Sequence, residues 1–170
     1  MEPTSDIGLQ HFQELMDRRA RYAFRLAGYL LGDSVSAEDA VQDAIERAWR
    51  AWPRLRDQTS FGPWFDRILV NVCRDSMRRR GRDRVVEYSF GSVDDPFRSI
   101  FDRDELGRAL RRLPVDQRVV VVLRFWRDLP VDEIADLLDV PPGTVKSRLH
   151  YALDSLRGEI SRGQRLEASR

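Results

Sequence analysis

Apolar residues recur at helical spacing through most of this chain, and they predict a protein built from α-helices. The pattern is clearest from Val131 to Ala152, where two short helices fit on either side of a turn. The first, from about Val131 to Leu138, places its apolar side chains on one face. Asp139 to Gly143 forms the turn, because two prolines and a glycine do not suit a helix interior. We interpret this stretch as a helix-turn-helix.

The second helix of the motif carries the side chains that point to a function. It is predicted to begin near Thr144, a good N-cap, and to bury Val145, Leu149, Ala152 and Leu153. The major groove of B-DNA admits one α-helix, and the N-terminal end of that helix meets the base edges. An ordinary pair of packed helices with a solvated polar face is the alternative. The residues on the opposite, polar face are Thr144, Lys146, Ser147, Arg148 and Tyr151.

Three more amphipathic helices are predicted upstream of the motif. The first runs from Leu9 to Leu31, either as one long helix or as two with a break around Asp17 to Arg19, and Gly32 is its C-cap. The second runs from Ser36 to Trp52, with Ser36 as its N-cap and a continuous apolar stripe. The third runs from Trp64 to about Arg80, after a loop that includes Phe61. Together they predict a first helical module.

The third helix begins a strongly basic strip. From Arg67 to Arg84 there are seven arginines against two aspartates, and nucleic acid is the obvious acidic partner for such a strip. Aromatic residues beside it could stack on unpaired bases. Those on an apolar stripe are more often core, so we assign Trp49, Trp64 and Phe65 to the core and expect Phe61, on the loop, to contact DNA.

A second module follows a change in composition. Residues 81–103 contain scattered Gly, Ser, Pro and Asp without sustained periodicity, which indicates a linker. A helix is then predicted from Leu106 to Leu113, and another from about Val115 to Arg127, before the helix-turn-helix. After Leu156 the chain becomes polar, and we expect the last helix to fray there.

Composition narrows the class of protein further. The 170 residues are 42% hydrophobic and 34% charged with a formal net charge of +1, so the position of charge matters more than its sum. Cys73 is the single cysteine and His11 and His150 are the two histidines, which argues against a disulfide or a Cys/His zinc site. No signal peptide or transmembrane stretch is evident, so a cytoplasmic protein without a cofactor or bound metal is expected.

Four segments carry a family resemblance when they are taken in order. They are AEDAVQDAIERAW (37–49), FGPWFDRILVN (61–71), LPVDQRVVVVLR (113–124) and IADLLDVPPGTVKSRL (134–149). With these segments the chain resembles bacterial RNA polymerase sigma factors of the compact extracytoplasmic-function (ECF, group IV) type. The resemblance implies an all-α fold of two small helical domains joined by a flexible linker. It divides the chain into domain 2 (1–80), a linker (81–103), domain 4 (104–160) and a polar tail (161–170).

The resemblance also implies partners and residue roles. Core RNA polymerase would be bound through its β′ clamp helices and β flap, and promoter DNA through two elements. An anti-sigma factor is a fair expectation, and no catalytic residue or membrane insertion is implied. The polymerase-docking residues would be Gln42, Asp43, Glu46 and Arg47. The −10 element would be recognised by Phe61, Arg67, Asn71, Arg74 and Arg78, with Asn71 lining a pocket for a flipped base. The −35 element would be recognised by Thr144, Lys146, Ser147 and Arg148.

Two other classes of protein are weighed against this one. A free-standing helix-turn-helix regulator normally has a ligand pocket or a phosphorylatable aspartate on a parallel sheet, and no strand is predicted here. An enzyme acting on nucleic acid would need a metal or nucleophile constellation. The sequence has no phosphate-binding glycine loop, no HExxH motif and no cysteine cluster. A recruitment protein without catalytic activity is therefore the favoured hypothesis.

Overall fold

The computed structural model describes residues 6–82 and 105–167, and the side chains of residues 8–80 and 106–161. All regular structure in these ranges is helical, which confirms the all-α prediction. Short 3₁₀ turns lie at Trp52–Arg54 and Gln58–Ser60, and a π-helical turn lies at Val122–Trp126. The α-helices are α1 (Asp6–Leu31), α2 (Ser34–Ala51), α3 (Phe61–Arg82), α4 (Glu105–Arg112), α5 (Val115–Val121), α6 (Val131–Leu138) and α7 (Pro142–Glu167).

The first module is a bundle of α1, α2 and α3. Helix α2 turns a stripe of alanines inward, and such small side chains let the helix axes approach closely. Gly32 has a φ of +84°, the left-handed conformation that ends a helix, so its prediction as the C-cap of α1 is confirmed. The buried alanines of α2 are Ala37, Ala40, Ala44 and Ala48.

The start of α2 differs from the prediction. Asp33 rather than Ser36 is the N-cap, and its carboxylate accepts the backbone N–H of Ser36 at 2.7 Å. The Ser36 hydroxyl donates to the same carboxylate, so the serine supports the cap from inside the first turn. The prediction of Ser36 as the N-cap was wrong because a charged carboxylate suits the positive helix N-terminus better than a hydroxyl does.

The second module consists of α4 to α7. Helix α6 occupies Val131–Leu138 as predicted, and the turn after it passes through Asp139 at a φ of 55°. Helix α7 begins at Pro142, so Thr144 lies inside its first turn and is not the N-cap. Proline is preorganised for the first turn of a helix, where its missing N–H is no loss.

Helix α7 also continues to Glu167, so the expectation that it frays after Leu156 was wrong. Tertiary packing explains the extension. Leu156 is buried with Ala109 and Leu113 beneath α4, and Arg112 forms an ion pair with Glu159 one turn farther along α7. Most of the predicted linker, residues 83–103, lies outside the described residues, whereas Gly81 and Arg82 still belong to α3.

The two modules share one hydrophobic core. Phe65 and Leu69 of α3 belong to the same buried cluster as Val119 of α5, Ile134 of α6 and Val145 of α7. Helix α3 contacts both α5 and α6, so it helps to join the two modules. The face of α3 that packs on the second module lies beside its arginines.

Candidate nucleic-acid interface

The basic face of α3 is formed by side chains at helical spacing. Arg67 and Arg78 each have a side chain 48% exposed, whereas Arg74 is 14% exposed. Asn71 is exposed, and its amide oxygen accepts from Arg74 Nη1 at 3.4 Å. The structure therefore brings the four predicted −10 residues of this helix onto one face, as their spacing indicated.

This face lies against the second module. Arg67 Nη2 donates to the backbone carbonyl of Asp136 in α6 at 2.8 Å and lies 3.9 Å from the carboxylate of Asp139. Arg74 Nη2 and Arg78 Nη2 lie 3.1 and 3.0 Å from Oδ1 of Asp116 in α5. The arginines that would face DNA are thus paired with acceptors of the same chain.

Asp116 also receives an arginine from the helix-turn-helix. Arg148 Nη2 on α7 lies 3.2 Å from Asp116 Oδ2, so one carboxylate pairs with three guanidinium groups from both modules. Partial burial raises the pKa of Asp116, but the charges of Arg148, Arg74 and Arg78 and a hydrogen bond from Arg74 outweigh burial and hold the pKa below its usual range. The ion pairs of Asp116 therefore stabilise the folded protein above the unfolded-state pKa of about 3.9. This contribution is lost as pH falls through the lower pKa of the folded state.

The remaining −35 candidates line the N-terminal part of α7. Lys146 and Ser147 are exposed, and Thr144 is half-buried. Ser147 Oγ donates to the backbone carbonyl of Thr144 at 3.0 Å, which keeps the hydroxyl close to the helix surface. Val145 and Ala152 are fully buried on the opposite side, as the periodicity predicted. The N-terminal end of α7 therefore presents one lysine and two small polar side chains beside Arg148.

Phe61 is not where the sequence placed it. It is the first residue of α3 and only 3% exposed, and its ring packs against Phe12, Trp52 and Phe65. The prediction that Phe61 lies on a loop was therefore wrong, whereas its predicted contact with a base stays a prediction. Gly62 and Pro63 suit the first turn of a helix, so α3 begins earlier than Trp64 and draws Phe61 into the aromatic cluster.

The loop before α3 is held by a carboxylate. Asp57 accepts the backbone N–H and the hydroxyl of Thr59 at 2.9 and 2.7 Å and the hydroxyl of Ser60 at 2.8 Å. The hydrogen bonds from the Thr59 and Ser60 side chains lower the pKa of Asp57. A ligand at this loop would therefore meet hydroxyl groups and a carboxylate and not an aromatic ring.

The predicted polymerase-docking residues form a charged surface on α2. Arg47 makes a bidentate contact with Asp43 at 3.0 and 2.9 Å and lies 3.8 Å from Asp75 of α3. Gln42 and Glu46 are exposed, and Glu46 pairs with Arg50. The four residues share one face, as their spacing indicated.

Two residues central to this region were not among the sequence candidates. They are Asp116, in the first turn of α5, and Trp126, at the end of the π-helical turn. An acidic residue between two arginine-rich segments is the one signal that could have suggested Asp116. Nothing local marks Trp126, because its partners lie about a hundred residues away in α1.

Within the described residues, no group of three or more His, Cys, Asp or Glu side chains is placed to hold a metal ion. None of the helices in the described ranges is long and apolar enough to cross a membrane.

Two helical modules with a basic helix face and a helix-turn-helix define the class of protein. It binds nucleic acid through two separate helical surfaces.

Comparison with known proteins identifies the family within this class. Residues 12–83 match Sigma-70 region 2, and residues 103–156 match Sigma-70, region 4. The chain is 34% identical over 151 residues to the RNA polymerase sigma-E factor of Streptomyces avermitilis, covering 88% of this chain and 84% of the relative. It is 35% identical over 156 residues to the ECF RNA polymerase sigma factor SigM of Mycobacterium tuberculosis, covering 89% and 80%.

Solved structures share the fold. The sigma factor RpoE of Bartonella quintana, in complex with the anti-sigma factor NepR, superposes with a TM-score of 0.67 at 24% identity, covering 89% of this chain and 98% of that one. CnrH, in complex with the cytosolic domain of CnrY, gives a TM-score of 0.65 at 22% identity, covering 91% and 90%.

The chain belongs to the sigma-70 family and is a sigma factor of the ECF type. It recognises promoter DNA and initiates transcription together with RNA polymerase, as the resemblance implied.

Proposed function

We propose that this sigma factor divides promoter recognition and polymerase docking among three surfaces. Domain 2, residues 1–80, binds the −10 element, and domain 4, residues 104–160, binds the −35 element. The chain performs no bond chemistry itself. The observation that carries this proposal is that the basic side chains cluster on one face of α3 and at the start of α7. These two helices lie in the segments that match regions 2 and 4.

The −10 surface is the basic face of α3. Arg67, Arg74 and Arg78 supply phosphate contacts, and the exposed amide of Asn71 can read the edge of a flipped base. Asn71 has both a donor and an acceptor, which an arginine lacks. Phe61 is left out of this surface, because its buried ring supports the start of α3 from below.

The −35 surface is the first two turns of α7. Thr144 and Ser147 allow the helix end to approach the groove, and Lys146 and Arg148 supply contacts to phosphate or to guanine. Lys146 and Ser147 are already exposed, whereas Arg148 is held by Asp116.

The polymerase-docking surface is the polar face of α2, formed by Gln42, Asp43, Glu46 and Arg47. These side chains stand on a helix whose inner face is fully buried, so they can be replaced with little effect on packing. The clamp helices of β′ are the proposed partner here, and the β flap is the proposed partner of domain 4. An anti-sigma factor is a further proposed partner, since the solved sigma factor RpoE, which shares this fold, is described in complex with one.

A pull-down with purified core RNA polymerase tests the docking surface. The test variant carries alanine at Gln42, Asp43 and Glu46. The control carries alanine at Gln13, Glu14 and Asp17 of α1, which are exposed and have the same three side-chain types.

The control is expected to bind core polymerase like the wild type, and the test variant is expected to lose binding. Equal binding of all three proteins would exclude α2 as the docking surface. No binding by the wild type would instead favour a free-standing regulator, and direct promoter binding without polymerase would support that alternative.

A further inference from the structure

The contact between the two modules has an aromatic anchor. Trp126, at the end of the π-helical turn, lies against two tyrosines of α1: its ring centroid is 5.9 Å from that of Tyr22 and 4.7 Å from that of Tyr29. The guanidinium of Arg25 lies 5.7 Å from the Trp126 ring centroid. Trp126 is partly buried between these aromatic partners, and tryptophan is one of the residues that most often dominate protein interfaces.

The π-helical turn explains why this tryptophan reaches α1. A π turn inserts one extra residue into a helix and so rotates the residues that follow it. Here it leaves Phe125 62% exposed while its neighbour Trp126 packs on the first module. Such turns often occur at functional sites.

A second anchor is the buried carboxylate of Asp66 in α3. Arg127, next to Trp126, has its Nη2 3.7 Å from Asp66 Oδ2, and its guanidinium lies 4.5 Å from the Tyr22 ring centroid. Burial and the nearby Asp66 carboxylate raise the pKa of Tyr22, so its hydroxyl stays protonated and donates to Asp66 at 3.3 Å. The second module therefore makes both apolar and charged contacts with α1 and α3.

The third set of contacts involves the proposed DNA-binding residues themselves. Arg74 and Arg78 of the −10 surface and Arg148 of the −35 surface all pair with Asp116, and Arg67 donates to Asp136. A carboxylate oxygen accepts from a guanidinium much as a phosphate oxygen does. Asp116 thus takes the place that DNA phosphate would hold on both surfaces.

These contacts leave some hydrogen-bonding capacity unused. Arg74 Nε, Arg148 Nη1 and Arg127 Nε are buried and find no acceptor within the part of the chain that the structure describes. A buried donor without an acceptor opposes the contact that buries it. A phosphate group, with several acceptor oxygens, could serve Arg74 and Arg148 better than the single carboxylate that they share.

We propose that this packed arrangement is an autoinhibited state of the free sigma factor. Asp116 and Trp126 hold domain 4 against domain 2, and the arginines of both DNA-binding surfaces are occupied until polymerase or DNA separates the modules. The inference rests on the proposed function, because it takes the basic faces of α3 and α7 as the DNA-binding surfaces. Opening exchanges contacts to Asp116 for contacts to phosphate, so DNA binding and closure exclude each other.

Two substitutions open the closed state by different means. Asp116→Asn removes the shared charge with little change of shape, and Trp126→Ala removes the aromatic anchor without changing the net charge. Each has a matched control in the same module. Asp128→Asn removes a charge that pairs with Arg124 inside domain 4, and Phe125→Ala removes the exposed aromatic neighbour of Trp126.

The experiment uses the full chain without polymerase. Small-angle X-ray scattering measures the radius of gyration of each variant. Fluorescence anisotropy measures its affinity for a short labelled DNA duplex of mixed sequence, which reports access to the phosphate-binding surfaces. Circular dichroism melting checks that each variant is folded.

Asp116→Asn and Trp126→Ala are both expected to increase the radius of gyration and to bind the duplex more tightly than their controls. The gain is about tenfold if the closed form makes up about nine-tenths of the free protein, because a competent fraction of one-tenth reduces apparent affinity by that factor. The uncharged Trp126→Ala change is the more decisive of the two, since loss of an acidic residue alone favours DNA binding.

Equal affinities and radii for each variant and its control would overturn the inference. So would an increased radius without a gain in DNA affinity, because the contact would then hold the modules together without blocking DNA. Failure of the proposed function would be seen in a separate experiment, the pull-down, in which the wild type would not bind core polymerase. Neither the scattering nor the duplex measurement needs polymerase, so both decide the inference whatever that binding assay shows.

Discussion

Arg19 of α1 and Asp66 of α3 form a partly buried bidentate ion pair in the first module. Arg19 Nε lies 3.2 Å from Oδ1 and Nη2 lies 2.5 Å from Oδ2, and the Asp66 side chain is 5% exposed. Gly62 makes room for this pair, since a Cβ there would come within 3.2 Å of Arg19 Nη1. The pair joins the two helices that the second module also contacts.

Removal of one partner of this pair should be costly. Within the part of the chain that the structure describes, Arg19→Ala leaves the Asp66 carboxylate buried with Tyr22 and the more distant Arg127 as its polar partners. We expect the free energy of unfolding to fall by about 3 kcal/mol. Urea denaturation followed by circular dichroism measures the change.

The control for this prediction is Arg50→Ala, which breaks an ion pair on the surface of α2. Arg50 and Glu46 are 73% and 53% exposed, so that change should alter the free energy of unfolding by no more than about 0.5 kcal/mol. A similarly small effect of Arg19→Ala would show that Asp66 does not remain an uncompensated buried charge when Arg19 is removed.

Arg148 should have a second role once polymerase holds the modules apart. If it reads a base of the −35 element, Arg148→Ala should cost about 1–3 kcal/mol of holoenzyme affinity for the cognate promoter and relax specificity at one position. Competition binding against promoters with single substitutions measures this. Lys146→Ala is the comparison, because Lys146 is exposed and makes no contact with Asp116.

The pattern of losses separates two roles for Arg148. A loss confined to one base position supports base recognition. An equal loss on every promoter variant, with a reduced dependence on salt, would make Arg148 a phosphate contact instead. Lys146→Ala is expected to give this second pattern.

Periodicity predicted the helices well because each buries a continuous stripe of its own residues. Helix α6 and the left-handed turn at Asp139 follow from local sequence, since the apolar spacing and the prolines leave few alternatives. The extension of α7 to Glu167 could not be predicted from local periodicity. Its polar sequence is stabilised by α4, a helix about fifty residues earlier in the chain.

The predicted site residues illustrate the same limit. The basic face of α3 depends on spacing within one helix, so it was predictable. The burial of Phe61 depends on where α3 begins and on Phe12 in another helix. The pairing of Asp116 with three arginines depends on how two modules pack, which no local pattern records.

Asp139 is in the left-handed conformation at the end of α6, and its side chain is 96% exposed. A residue other than glycine is strained in this conformation by about 1 kcal/mol, and aspartate tolerates it better than most residues do. Asp139→Gly should therefore raise the free energy of unfolding by up to about 1 kcal/mol, and Asp139→Val should lower it by about 1–2 kcal/mol. Thermal and urea denaturation measure both changes, and a stabilising valine would contradict the backbone argument.

Cys73 is fully buried on α3, and burial raises the pKa of its thiol to about 12. The thiolate is the reactive form, so alkylation by iodoacetamide near neutral pH should be about a thousandfold slower than for an ordinary thiol with a pKa near 8.5. Mass spectrometry follows the reaction, and labelling should become fast in urea. A Ser155→Cys variant in a Cys73→Ala background is the control, because Ser155 is exposed on α7.

The same shift sets the direction of a pH effect on stability. Above about pH 8.5 the unfolded chain loses the thiol proton while the native protein retains it, so the unfolded state binds fewer protons. The free energy of unfolding should then fall by up to about 1.4 kcal/mol per pH unit between pH 8.5 and the folded pKa. Cys73→Ala should remove this slope between about pH 8.5 and 10, below the range in which the raised pKa of Tyr22 gives a slope of the same sign. An unchanged slope between these pH values in that variant would assign it to other groups.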